Sequence, residues 1–123
     1  MVRRTQQQRG EAAQLIAERR RREDDAPRLH ADVPLLASLS LAIDERRDNS
    51  AIAGRSHVRR IVVERAPALF VMPCSDPDCT GAEHDLTQAI MRALLRAATR
   101  FEGESACQGC SCTLRYVGTA AYR

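Results

Sequence analysis

Residues 35–44 have the sequence LLASLSLAID, and this stretch decides the predicted fold. Apolar Leu39, Leu41 and Ile43 alternate with small or polar residues, which is the period-two pattern of a half-buried strand. A second alternating run occupies residues 113–122, near the end of the 123-residue chain. Two runs of this kind predict a small, mainly antiparallel sheet with one apolar face.

Two shorter runs suited to strands lie between them, at residues 57–65 and 68–72. Ala66 and Pro67 separate these two runs, and proline interrupts strand pairing. Residues 47–54 are rich in turn formers and separate the first strand from the second. The pattern predicts an antiparallel β-meander of three strands, followed later by the final strand.

A helix is predicted from about residue 85 to residue 101, with Asp85 or Thr87 as its cap and Gly103 as its end. Its apolar residues recur at spacings of four, four, three and four, which places them on one face. These residues are Leu86, Ile90, Leu94, Ala97 and Phe101. The predicted fold class is therefore α+β, in which one helix covers the sheet.

The N-terminal quarter differs from the rest of the chain. Residues 6–23 contain no proline and consist mostly of helix formers, so they predict an extra basic helix that ends in the arginines Arg19–Arg22. A polar connector closed by Pro34 follows. We therefore expect two parts: a basic N-terminal helical arm and connector (1–30) and an α+β body with a cysteine site (31–123).

Charge is unevenly distributed. All nineteen basic residues are arginine and the net charge is +3. Residues 1–30 hold eight arginines and five acids, whereas residues 31–123 hold eleven of each, so the positive excess lies in the arm. This favours an anionic partner such as nucleic acid. The apolar stretch 66–72 is too short to span a bilayer and the N-terminus lacks a secretory signal, which predicts a cytoplasmic protein without a membrane partner.

Five cysteines form the most specific motif. Residues 74–79 and residues 107–112 each begin and end with cysteine, and both segments are rich in turn-forming residues. In a reducing compartment, clustered cysteines bind metal more often than they form disulfides. Four thiolates would complete a closed tetrahedral Zn²⁺ site. The predicted ligands are Cys74, Cys79, Cys107 and Cys112.

Alternatives to this ligand set remain open. Cys110 could replace Cys112, because Cys107-x2-Cys110 has the more familiar spacing, and His84 could contribute through Cys79-x4-His84. A helix over 85–101 would be about 25 Å long and would separate the two cysteine pairs, so residues 102–107 must return along it. Otherwise the pairs could form two disulfides, or a metal could bridge two chains.

Enzymatic motifs are missing from the sequence. It contains no nucleophile elbow, metalloprotease motif or phosphate-binding loop, and a closed four-thiolate site has no open position for a substrate. The cysteine spacings are not those of ferredoxin clusters, and a thiol redox protein is the less favoured alternative. We therefore expect a non-enzymatic protein that binds a macromolecule rather than a small-molecule substrate.

Nucleic acid is the expected partner. Arginines recur every four residues on the predicted second helix and are abundant in the arm, and guanidinium groups suit phosphates. The candidate residues are Arg3, Arg4, Arg9, Arg19, Arg20, Arg21, Arg22, Arg92, Arg96 and Arg100. Only four residues are aromatic, which favours duplex or structured RNA, or a ribonucleoprotein such as the ribosome, over stacked single strands. The alternative is a zinc-stabilised protein–protein adaptor, a homo-oligomer or a subunit of a larger assembly.

Overall fold

A computed structural model describes residues 6–47, 53–75, 79 and 83–123, and these residues have the α+β fold predicted from the sequence. Three helices and six strands follow one another along this part of the chain. They are α1 (Gln6–Asp25), α2 (Leu29–Asp32), β1 (Leu36–Arg47), β2 (Ala53–Ile61), β3 (Val71–Pro73), β4 (Glu83–Asp85), α3 (Thr87–Leu95), β5 (Arg100–Ala106) and β6 (Cys112–Tyr122). The predicted turn over 47–54 lies largely outside the described residues.

The four-stranded sheet has the order β2-β1-β6-β5, and all its neighbouring strands are antiparallel. Ile43 in β1 pairs with His57 of β2 on one side and with Tyr116 of β6 on the other. The alternation that predicted β1 and β6 directs one set of side chains into the core and leaves the opposite face of the sheet open. Leu41, Leu114 and Ile90 of α3 belong to that core.

The chain departs from the predicted three-stranded meander after β2. Val62 O accepts hydrogen bonds from the backbone N–H groups of Arg65 and Ala66, which forms a tight turn. The following residues then pair with the segment before α2, because Leu29 N donates to Ala66 O and Ala68 N donates to Pro27 O. Strand β3 therefore does not continue the meander beside β2, and it pairs with β4 in a separate two-stranded sheet.

The second predicted helix is shorter than expected. It ends at Leu95 because Ala97 adopts a left-handed conformation with φ 58°. Ala97 N then donates to Leu94 O and Ala98 N donates to Ala93 O, which is a Schellman motif with alanine in the position that glycine usually takes. The chain turns there and enters β5.

Phe101 therefore belongs to a strand and not to the helix. Its ring meets the ring of Tyr116 edge-on, with centroids 6.5 Å apart. Each of these two rings covers the glycine paired with it on the neighbouring strand: Phe101 covers Gly118, and Tyr116 covers Gly103. A Cβ atom on either glycine would overlap the ring, so the two glycines are required for β5 and β6 to pack in this way.

Helix α1 is largely exposed in the residues whose side chains are described. Arg19 and Arg22 both bind Glu83 of β4, at 3.0 Å and 2.6 Å. These two ion pairs connect the basic helix to the two-stranded sheet. Among the described helices, none is long and apolar enough to cross a bilayer.

Candidate metal centre

One half of the centre is the turn between β5 and β6. Cys107 N donates to Cys112 O at 2.8 Å, which closes a loop that contains Cys107 and Cys110. The backbone N–H of Gly109 points at Cys107 Sγ, 3.4 Å away, and the backbone N–H of Cys112 donates to the sulfur of Cys110. Backbone donors aimed at sulfur stabilise thiolates, so this turn is suited to hold a positive ion.

The other half lies between the two strands of the small sheet. Cys74 directly follows β3, and Cys79 lies in the connection to β4. Cys74 Sγ is 3.5 Å from Cys110 Sγ, and Cys79 Sγ is 3.6 Å from Cys107 Sγ. All four sulfur atoms lie within 4.8 Å of one another. We call Cys74, Cys79, Cys107 and Cys110 the four-thiol group.

These distances fit a tetrahedral metal ion. Four sulfur atoms at 2.3 Å from a central zinc ion would be about 3.8 Å apart, close to both measured separations. A disulfide would bring a pair to about 2.05 Å, and none of the five cysteines, all of which are described, is in a disulfide. The four-thiol group could therefore bind one metal ion.

The four-thiol group differs from the predicted ligand set at one position, since it contains Cys110 in place of Cys112. Cys112 is the first residue of β6 and only 2% exposed, because its side chain faces the core side of the sheet. The two cysteine pairs meet because α3 spans nine residues, about 13 Å, and β5 then returns the chain to β4. The length objection raised by a helix over 85–101 therefore does not apply.

A buried polar cluster lies beside the four-thiol group. Glu45 has no exposed surface, and it accepts hydrogen bonds from Arg55 at 2.7 Å, from His84 at 2.7 Å and from the backbone N–H of Ser75 at 3.4 Å. Burial alone would raise the pKa of Glu45, but these hydrogen bonds outweigh it and hold that pKa below its ordinary value. Glu45 is therefore an ionised carboxylate inside the protein.

His84, which the sequence offered as an alternative ligand, belongs to this polar cluster and lies outside the four-thiol group. The ring has no exposed surface, and both of its nitrogens are engaged: Nε2 contacts Glu45, and Nδ1 lies 3.1 Å from the hydroxyl of Ser105. Arg55 also donates to Pro73 O at 2.6 Å. The cluster thus joins β1, β2, β3, β4 and β5, and it adjoins the four-thiol group through Glu45, which lies within 4.8 Å of Cys74.

A second set of potential metal ligands shares one residue, Cys74, with the four-thiol group. Glu45, Cys74 and Cys112 lie within 4.8 Å of one another. The charge of Glu45 is already balanced by Arg55, so this set has less need of a cation than the four-thiol group. We therefore regard Cys112 as a neighbour of the four-thiol group rather than a member of it.

The acidities of the thiols differ in the metal-free chain. A hydrogen bond from the backbone N–H of Cys112 lowers the pKa of Cys110 to about 7. Burial and hydrogen bonds to Cys107 and Cys110 raise the pKa of Cys79 to about 11. Burial also raises the pKa of Cys112. Cys110 therefore ionises more readily than Cys79 or Cys112, and a metal ion must displace the proton from Cys79.

Sequence reasoning missed the polar cluster. Glu45 occupies the same alternating position as Leu41 and Ile43, which places a carboxylate on the inner face of β1. A charged residue in the register of a core strand was the available signal, because such a group must have buried partners. Its partners Arg55 and His84 lie 10 and 39 residues away, and no local pattern connects them.

The predicted arginine stripe on the second helix is not formed. Of its three members only Arg92 lies in α3, whereas Arg96 caps the helix and Arg100 begins β5. In α1, Arg19 and Arg22 are bound to Glu83, and Arg20 and Arg21 are exposed. Two further candidates, Arg3 and Arg4, lie outside the described residues, and the side chain of Arg9 is also outside the description.

Comparison of the chain with protein-family models, with curated proteins and with solved structures gave no match. The interpretation of the centre therefore rests on its own geometry. By that geometry the protein is a small α+β protein with a cysteine cluster that could bind a metal.

Proposed function

We propose that this protein is a zinc-binding, non-enzymatic protein in which the metal has a structural role. The observation that carries the proposal is the convergence of four sulfur atoms to within 4.8 Å of one another. Sulfur-only coordination suits zinc, and four protein ligands leave no position for a substrate. The function requires reduced thiols, which agrees with the cytoplasmic location expected from the sequence.

The role of the metal follows from the chain segments that it would join. Cys107 and Cys110 belong to the β5–β6 turn, whereas Cys74 and Cys79 belong to the β3–β4 connection. Zinc bound to all four would fasten the small sheet to the edge of the large one. His84 does not offer an alternative catalytic centre, because its ring is fully buried and its two nitrogens are already bonded.

The decisive experiment compares two neighbouring cysteines. Native mass spectrometry of the purified protein should show one zinc ion per chain. Cys110→Ser should lose the ion, because it removes a member of the four-thiol group. Cys112→Ser, the matched control two residues away, should keep it. Retention of zinc by the first variant and loss by the second would contradict the geometry proposed here.

We further propose that the protein binds nucleic acid or a ribonucleoprotein, with RNA as the expected form, and that α1 contributes to the contact. The specific observation is that α1 is exposed while Arg20 and Arg21 have no ion-pair partner among the described residues. Unpaired guanidinium groups on an exposed helix suit phosphates. The competing proposal is a protein–protein adaptor that docks through the same helix.

Fluorescence anisotropy with a labelled RNA, measured over a range of salt concentrations, separates the two proposals. Arg20→Gln with Arg21→Gln should weaken RNA binding and reduce its salt dependence. Arg92→Gln with Arg96→Gln is the control, because it removes the same charge from another surface, and it should leave the salt dependence unchanged. If the unmodified protein does not bind RNA and sediments as a dimer that the α1 variant disrupts, the adaptor proposal is correct.

A further inference from the structure

Arginines on the four-stranded sheet fall into two groups. Arg46, Arg55 and Arg115 each bind an acidic side chain, at 3.0 Å, 2.7 Å and 3.0 Å. Arg59, Arg60 and Arg100 are exposed and have no hydrogen bond or ion pair within the part of the chain that the structure describes. Arg59 pairs with Leu41 and so lies on the core side of the sheet, whereas Arg60 and Arg100 lie on the open face. Arg60 and Arg100 are therefore free to bind a ligand on that face.

The strand register places these two arginines in one line. Arg60 pairs with Ser40, Ser40 pairs with Thr119, and Thr119 pairs with Arg100. Paired residues of neighbouring strands point to the same face of a sheet, and here it is the open face opposite the core. We call Arg60, Ser40, Thr119 and Arg100 the polar row.

The dimensions of the polar row suit an extended anion. Neighbouring strands are about 4.8 Å apart, so the backbones of the two arginines are separated by roughly 14 Å. Two hydroxyl groups, both without a hydrogen-bond partner among the described residues, lie between them. Guanidinium and hydroxyl groups are the side-chain donors that usually contact the phosphate oxygens of nucleic acids.

An apolar depression adjoins the polar row on the same face. The next line across the sheet consists of Val58, Ala42, Val117 and the exposed Glu102. The three apolar residues of this line, together with Asp44 and Arg115 of the line beyond it, border a shallow depression of about 380 Å³. Val58 is 65% exposed, which is unusual for a large apolar side chain. A phosphate-binding line beside an apolar floor matches a nucleotide, which joins a charged phosphate to a sugar and a base with apolar faces.

We propose that the polar row and the depression form a binding site for an unpaired segment of nucleic acid. The phosphates contact Arg60, Ser40, Thr119 and Arg100, and one nucleoside lies against the depression. The paired bases of a duplex are stacked inside the helix and could not enter it. Among the charged side chains of this face that have no partner in the described residues, Arg60 and Arg100 outnumber Glu102, so a polyanion is favoured over a second copy of this chain, whose like-charged face would repel this one.

The polar row contains no aromatic residue, and the side chains of Phe101 and of Tyr116, which borders the depression, are buried in the core. Binding is therefore governed by phosphate contacts and depends strongly on salt, with little preference for sequence. The inference rests on the proposed nucleic-acid function, and it moves the main contact on the body from the predicted helix stripe to the open face of the sheet. Arg100 is the residue that both surfaces share.

The test uses the full-length, zinc-loaded protein and a fluorescein-labelled 12-nucleotide polyuridine. Arg60→Gln with Arg100→Gln should lower the affinity and reduce the slope of log K against log salt by about 1.4, which corresponds to two phosphate contacts on a single strand. Arg92→Gln with Arg96→Gln is the control with the same change in net charge, and it should leave the slope unchanged. Ala42→Glu places a carboxylate in the depression and should also weaken binding.

The outcomes distinguish this site from the general proposal. If only the α1 variant Arg20→Gln with Arg21→Gln weakens binding, the polar row is wrong and the nucleic-acid function stands. If the control weakens binding as much as the row variant, only net charge matters and the site is wrong. If a fully paired duplex or polyglutamate bound with the same affinity as polyuridine, the proposed site would also be wrong. No binding of any oligonucleotide would overturn both proposals.

Discussion

Strand β1 connects two ends of the sheet that are stabilised in different ways. At one end Leu39, Leu41 and Ile43 pack into a core of aliphatic side chains. At the other end Glu45 lies among hydrogen-bond donors, and the thiols follow directly beyond it. The apolar end is stabilised by the burial of apolar surface, and this stabilisation depends little on metal, on oxidation or on moderate changes in pH. The cysteine end depends on charges, and solution conditions can therefore alter it without changing the sequence.

The largest expected effect is that of metal on the cysteine end. Zinc at a thousand times its dissociation constant should stabilise the fold by about 4 kcal/mol, because it binds the folded chain preferentially. A chelator should remove this stabilisation and lower Tm by about 15 °C. Hydrogen exchange resolved by residue should show faster exchange in the β5–β6 turn, while the amides of α3 stay protected. Equal loss of protection at both ends would mean that they unfold as one unit.

The next effect tests the apolar end. Leu94→Ala should cost about 3 kcal/mol, since Leu94 is 1% exposed and its truncation leaves a cavity in the core. The loss in the free energy of unfolding should be the same in the zinc-loaded and the metal-free protein, because distant sites contribute additively. Denaturant titration of both forms measures this. A loss that appears only in one form would show that the two ends are energetically coupled.

The two ends also differed in how well the sequence predicted them. The alternation of apolar and polar residues predicted β1 and β6 because one face of the sheet must exclude water. The two cysteine pairs were recognisable from their spacing alone. The choice of Cys110 over Cys112 depends on how tightly the β5–β6 turn closes, which spacing does not encode. The cluster around Glu45 depends on residues distant in sequence. The end of α3 at Leu95 was missed because alanine, and not glycine, adopts the left-handed conformation there.

Acid should weaken the cysteine end through Glu45. The pKa of Glu45 is held below its ordinary value by hydrogen bonds that outweigh burial, so its contribution to stability is complete at neutral pH. The contribution is lost as pH falls below about 4.5, through the lowered pKa of the folded state. Glu45→Gln should cost about 2 kcal/mol at pH 7, since it removes charge-assisted hydrogen bonds.

The free energies of unfolding of the unmodified protein and of Glu45→Gln, measured by denaturant titration, should therefore converge as pH falls through the lowered pKa of Glu45 in the folded state. The difference between the two proteins is the quantity to follow, because protonation of the thiolates would release bound metal from both proteins alike. A difference that stays constant from pH 7 to pH 3 would show that Glu45 contributes through packing and not through its charge.

The smallest expected effect is a stabilisation at the turn that ends α3. Ala97 has φ 58°, a conformation that costs an alanine about 1 kcal/mol and that glycine adopts freely. Ala97→Gly should therefore raise the free energy of unfolding by about 0.5 kcal/mol, after allowance for the greater flexibility of glycine in the unfolded chain. Ala89→Gly is the matched control, because Ala89 is exposed within α3 and the same change there should destabilise the protein by about 1 kcal/mol. Opposite signs for the two substitutions in thermal unfolding would show that the Schellman motif sets the end of α3 and so directs β5 back toward the cysteines. A loss at Ala97 as large as that at Ala89 would mean that the helix continues through this position, and the path that brings Cys107 to Cys79 would then have to be different.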